Sequence, residues 1–216
     1  MSQPGPPSEN MRVAANHGSF VALRTRGNED LAGAVREALG GLGLKPAERS
    51  QKARRTPFRQ NPAPLTELAI LPARRRWVVV VPGTNDEELA ALLAAKLSPR
   101  RETLAITWHR ATDYHRIHRF FAGRLTRHAG VYAGDLIADI GERLPGESWD
   151  ASDFSSRLME APGQLEAWLR TRDLDPDEDR TGVATTEQDL ELIRLQGRLA
   201  RAEILRLYEA QTTRDP

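Results

Sequence analysis

Apolar residues along the chain fall into short runs punctuated by Pro, Gly and Arg, and their spacing alternates between two periods. Residues 19–26 (SFVALRTR) form a short β-rich run. Asn28 follows as a good helix N-cap. Leu31, Val35, Ala38, Leu39 and Leu42 then recur at the spacing of a helix over 29–42. Gly40, Gly41 and Gly43 end that helix. Residues 65–73 (LTELAILPA) predict a strand, Arg74, Arg75 and Arg76 a turn, and 77–81 (WVVVV) a second strand. The second is apolar on both faces, which predicts a central position in a sheet. Asn85 and Glu88 have the spacing of a capping box, predicting a helix over 86–97 with Leu89, Leu92, Leu93 and Leu97 as its stripe and the Lys96 stem at the edge. Ser98 and Pro99 stop it. In 102–109 (ETLAITWH) Leu104, Ile106 and Trp108 alternate with Thr103, Ala105, Thr107 and His109, as in a strand. Residues 111–113 turn the chain, and 114–121 return antiparallel, closed by Gly123.

That order, strand-helix-strand-strand-helix-strand, predicts a ferredoxin-like βαββαβ core with a β-hairpin extension and a C-terminal helical part. It is an α+β two-layer sandwich within the broader α/β class, with an antiparallel sheet and both helices on one face. Residues 45–64 are expected to be a basic, proline-punctuated loop. Residues 135–143 and 164–170 are expected to be helical, 174–185 an acidic linker, and 186–211 one long amphipathic helix carrying Leu192, Leu195, Leu199 and Leu205. No repeat of fixed period is visible. The expected division is a disordered leader over 1–17, a basic core domain over 18–128, an acidic helical extension over 129–180, and the helix over 185–211.

Charge sharpens this division. The chain of 216 residues has a formal net charge of +1. Yet residues 45–128 hold 17 basic and 7 acidic side chains, net +10, and residues 129–216 hold 10 basic and 19 acidic, net −9. Such an asymmetry points either to a polyanion partner or to the two parts attracting each other. Arg- and Ala-rich usage with little Lys suggests a GC-rich bacterial genome. There are no cysteines, which excludes disulfides, thiolate zinc sites and Cys nucleophiles. The opening MSQPGPPSEN lacks the basic and apolar parts of a secretory signal, and no apolar run approaches membrane-spanning length. A cytoplasmic protein without membrane contact is the expectation.

Candidate chemistry is sparse. Four of the five histidines, His109, His115, His118 and His128, lie close together with Asp113 among them. Imidazole and carboxylate can ligate a metal or serve as acid and base. However, His115 and His118 are three apart, so on a strand they point to opposite faces. No H-E-x-x-H, G-x-S-x-G, phosphate-loop or dinucleotide-binding pattern is present. No cofactor and no metal are expected.

The arginines form the denser group: Arg54, Arg55, Arg59, Arg74, Arg75, Arg76, Arg110, Arg116 and Arg119. Arginine grips phosphate bidentately and stacks on bases. Aromatic residues are interleaved with them, but the RRM aromatic signature is absent. Negative catalytic evidence beside bipolar charge favours a non-enzymatic protein-binding module: an adaptor, a regulator, or an inhibitor of the immunity type, to which small α/β proteins are similar in broad architecture. A nucleic-acid-binding role for the 54–127 region is the alternative, and a hydrolase using His109, Asp113, His115 or His118 is the third reading. The helix over 186–211 offers a route to a homo-oligomer.

Overall fold

The computed structural model describes residues 17–25, 29–55, 67–71, 77–82, 86–109, 112, 114–133, 135–144 and 188–212. Strand β1 (His17–Arg24) is central, because Val21 and Leu23 point to one side and Phe20 and Ala22 to the other, and all four are buried. Gly18 gives it room. A Cβ there would lie 2.5 Å from the Trp108 ring, which instead crosses the strand and meets Phe20 edge-on at 5.8 Å.

Helix α1 (Leu31–Gly41) buries Val35, Ala38 and Leu39 of the expected stripe, with Ala32 beside them and Leu31 only partly buried. It is capped by Asp30, which accepts from the Gly33 amide at 2.8 Å. Strands β2 (Leu44–Pro46) and β3 (Gln51–Arg55) follow, then β4 (Glu67–Ile70) and β5 (Trp77–Pro82). Helix α2 (Glu87–Leu97) buries its expected stripe, and Leu89 and Leu93 are fully enclosed. Each such leucine contributes roughly 2 kcal/mol of apolar burial. The cap of α2 is Asp86, accepting from the Leu89 amide at 2.9 Å, one residue beyond the expected Asn85, which lies outside the described residues. Strands β6 (Thr103–His109) and β7 (Tyr114–Phe121) agree with expectation.

Three expectations are overturned. Residues 135–143 do not form a helix. Strand β8 (Arg124–Tyr132) presents a free edge, and β9 (Asp135–Gly141) pairs with it, burying Leu136, Ala138 and Ile140 partly and exposing the residues between. The two-residue period won over the three-to-four spacing. Residues 186–211 are not one helix. They give strand β10 (Gln188–Gly197) and helix α3 (Arg201–Thr212), broken at Gly197, whose φ is +100°. Leu192 faces one side of the sheet while Ile193 and Leu195 belong to the opposite core, which suits a strand flanked on both edges. Residues 45–64 are not all loop, since β2 and β3 pair with β10, a partner the long-helix reading removed. The helix expected over 164–170, the linker over 174–185, and residues 1–16 of the leader lie outside the described residues.

The ten strands among the described residues join one sheet in the order β2-β10-β4-β5-β1-β6-β7-β8-β9, with β3 also on β10, and every pairing is antiparallel. The protein is therefore α+β, mostly antiparallel sheet with three helices among the described residues. Strand β8 runs through position 128, where a domain boundary was expected. The helices bury their residues in one core with Val21, Leu23, Val78, Val80, Ala105 and Phe120. The other face carries a second cluster, with Phe20, Trp77, Leu104, Ile106, Trp108 and Ile117. No described helix is long and apolar enough to cross a membrane.

Candidate functional site

The alternation of β7 divides the chemistry of the chain between two faces. Tyr114, Arg116, His118 and Phe120 lie on the helix side. His115, Ile117 and Arg119 lie on the other. The histidines thus do not converge as a set. His115 pairs across from Trp108, and His109 sits at the end of β6 with Nδ1 2.7 Å from the Thr112 hydroxyl. Asp113 lies outside the described residues. Among the described residues no group of three or more His, Asp or Glu could hold a metal ion.

His118 and His128 do meet. They are cross-strand partners on β7 and β8, with rings stacked at 4.5 Å between centroids and 17° between planes. His128 is 4% exposed, and both its ring nitrogens are buried without a hydrogen-bond partner in the structure. Burial first, then the charges of Arg116 and Arg127, push its pKa down to about 4. Burial, then His128 and Arg116, hold His118 well below the ordinary histidine value. Both imidazoles are neutral at pH 7, and both are shielded from water. That arrangement suits core packing better than proton transfer.

The arginines separate as well. Arg116 donates to Glu87 Oε1 at 2.6 Å, and Arg119 donates its Nε to Glu102 Oε1 at 2.7 Å. Arg54 and Arg55 stand on β3, opposite Asp189 and Gln188 of β10. Arg59, Arg74, Arg75, Arg76 and Arg110 lie outside the described residues.

What the fold brings together is a corner that the sequence did not reveal. The chain has three tyrosines, and all of them meet at the start of α2. The Tyr114 hydroxyl donates to Glu87, and the Tyr208 hydroxyl, from α3, donates to Glu88 at 2.6 Å. Tyr132, from β8, meets the Tyr114 ring edge-on at 6.5 Å. The Arg116 guanidinium lies 5.4 Å from the Tyr114 ring centre. Burial, and then the hydrogen bond to Glu87, raise the Tyr114 pKa. The hydrogen bond to Glu88 raises that of Tyr208. Asp86 adds a third carboxylate here, its pKa raised by burial against the pull of the Leu89 amide. Tyr132 is 50% exposed and Tyr208 45%.

No family model, no curated protein and no solved structure matches this chain.

The corner therefore has to be understood from its own residues. Three carboxylates succeed one another at the start of α2, of which Glu87 pairs with Arg116, Glu88 accepts from Tyr208 and Asp86 caps the helix, and two half-exposed aromatic rings flank them. The tyrosines stand at 114, 132 and 208, and no local spacing links them. Only the antiparallel return of β8 and the docking of α3 on α2 and β8 make them neighbours.

Proposed function

We propose that the protein is a non-enzymatic binding module for another protein, an adaptor, regulator or immunity-type inhibitor, docking through the tyrosine corner. The supporting observation is the convergence of Tyr114, Tyr132 and Tyr208 with Arg116 at one exposed site. Tyrosine and arginine dominate the energetics of protein interfaces. Tyrosine brings a large rigid surface with a polar tip at low entropic cost. Asp86, Glu87 and Glu88 call for a partner that presents a basic side chain there, and charge complementarity of this kind sets orientation and association rate. Both glutamates already orient a tyrosine, so the aromatic faces are held in place before a partner arrives.

The experiment is affinity capture from host extract by the wild-type chain and by a Tyr132→Ser, Tyr208→Ser double variant, with circular dichroism confirming that both are folded. A specific protein retained by the wild type and lost from the variant supports the proposal. Identical capture profiles, or none, reject it.

The finer fold assignment belongs to the same proposal. The segment β1-α1-β4-β5-α2-β6 is taken as a ferredoxin-like unit, into which β2 and β3 are inserted and to which β7–β10 and α3 are added. Its support is the order β4-β5-β1-β6 with α1 and α2 in one core. A cytoplasmic setting completes it, motivated by the absence of cysteine.

A further inference from the structure

At the opposite ends of β7 and β8 from the tyrosines, the sheet carries arginines instead. Arg24 of β1 and Arg119 of β7 share a single carboxylate, Glu102, at 3.2 and 2.7 Å. Arg127 of β8 and Arg143 share another, Asp139, at 2.6 and 3.0 Å. Arg119 and Arg127 are cross-strand partners, so the two groups adjoin. Three partly exposed guanidiniums, Arg24, Arg119 and Arg143, thus share two carboxylates with the buried Arg127, in a row running from β1 to β9, a span of four strand intervals, roughly 19 Å. Arg124, at the hairpin end, has no carboxylate partner among the described residues. Nearby acids temper this excess: Glu29 neutralises Arg101, and Glu142 follows β9.

Phe121 stands in the same place. It pairs directly with Arg124 across the Ala122–Gly123 turn, alternation along β7 puts it on the face of Arg119, and it is 49% exposed. An exposed ring beside several arginines joins a stacking face to a cationic track.

We propose that this row binds single-stranded nucleic acid, with Phe121 stacking on a base and the solvent-accessible Arg24, Arg119, Arg124 and Arg143 contacting phosphates, while the buried Arg127 only holds β9 in place. Arg24 gives Glu102 one terminal nitrogen and Arg119 gives it Nε, so the remaining N–H donors of both are left for a phosphate. A base has a π-face for Phe121, whereas an acidic protein segment has none, and stacking beside a cationic track is how strands without duplex structure are held. The site shares no residue with the tyrosine corner, so either proposal can fail alone.

The test is fluorescence anisotropy with a labelled oligo(dT) strand at increasing salt. The wild type is expected to bind, with the affinity falling by about 0.7 log units per log unit of salt for each phosphate contacted. Arg124→Ala should shallow that slope by about 0.7. Phe121→Ala should weaken binding at least about fivefold. Phe121→Leu, which keeps the apolar bulk but lacks the ring, should weaken it similarly and guards against loss of folding in the alanine variant. The Tyr132→Ser, Tyr208→Ser variant should bind like the wild type. Absence of binding at low salt overturns the proposal. So does full affinity in both Phe121 variants, or displacement of the strand by polyglutamate at equal charge concentration, since either result makes the row a general surface for acidic partners.

Discussion

Arg127 is fully excluded from solvent and holds Asp139 of the neighbouring strand at 2.6 Å. The same guanidinium donates to the Ile140 carbonyl at 3.0 Å and more weakly to that of Gly141 at 3.4 Å, so one buried cation fastens the end of the edge strand β9. Burial opposes ionisation of Asp139, but the hydrogen bonds from Arg143 and Arg127 prevail and hold its pKa below the usual carboxylate value.

Removing that carboxylate takes the counter-charge at 2.6 Å from a fully buried cation. Asp139→Ala is expected to cost about 3 kcal/mol, the usual scale for breaking a buried pair from one side. Arg143→Ala removes the exposed partner of the same carboxylate and should stay within about 0.5 kcal/mol of wild type. Urea denaturation of the two variants decides the matter, and equal losses would show that Arg127 is not effectively buried.

The stacked pair His118 and His128 makes stability depend on pH. In the unfolded chain histidine takes up a proton below about 6.5. In the folded chain both imidazoles resist protonation, His128 down to about 4. Between those values the unfolded state binds more protons, so stability is complete above about pH 6.5 and falls as the pH drops towards 4. The loss attributable to His128 should be of order 1–3 kcal/mol. A His128→Phe variant, which keeps a ring in the stack, should show a shallower decline in urea midpoint over that window. Superimposable profiles would remove the histidines from the account.

Gly141 and Gly40 make a matched contrast. A Cβ on Gly141 would lie 2.2 Å from the Thr126 carbonyl oxygen, and its φ is +82°. At Gly40, in α1, an added methyl would meet nothing within 4 Å. Gly141→Ala is therefore expected to lose about 2 kcal/mol or more, and Gly40→Ala to gain about 0.5–1 kcal/mol. Thermal unfolding of the two variants should move the melting temperature in opposite directions.

Asp86 supports α2 from its N-terminus, so Asp86→Ala should cost about 1 kcal/mol and Asp86→Asn much less, because asparagine retains the accepting oxygen. Equal losses in the two variants by chemical denaturation would indicate that the carboxylate acts here through its charge alone.

The elements that could be read from the sequence are those whose signal is local. Strands β5, β6 and β7 declare themselves by apolar runs and alternation, and α1 and α2 by leucine and alanine spacing next to a cap. Strands β9 and β10 do not. Leu136 and Ile140 satisfy a helical period as well as a strand period, and the choice is made by the free edge of β8, which is distant information. Leu192, Ile193 and Leu195 are ambiguous in the same way until β3 and β4 are known to flank them. The candidate sites fail to show for a related reason. Phe121 beside Arg124 is visible in the sequence as a hairpin end, but its exposure is not. Tyr208 lies 94 residues from Tyr114, and their proximity is a property of the whole fold.

The position of β10 governs the order in which the molecule can be completed. It is the last strand among the described residues, yet it sits between β4 and the pair β2 and β3, so the edges that pair with it wait with unsatisfied backbone groups until residues 188–197 have left the ribosome. Late, long-range closure of this kind slows assembly and leaves a nascent chain open to association with its neighbours. Translation that stops before residue 188 should consequently yield insoluble material, even though the larger part of the sheet has already been made.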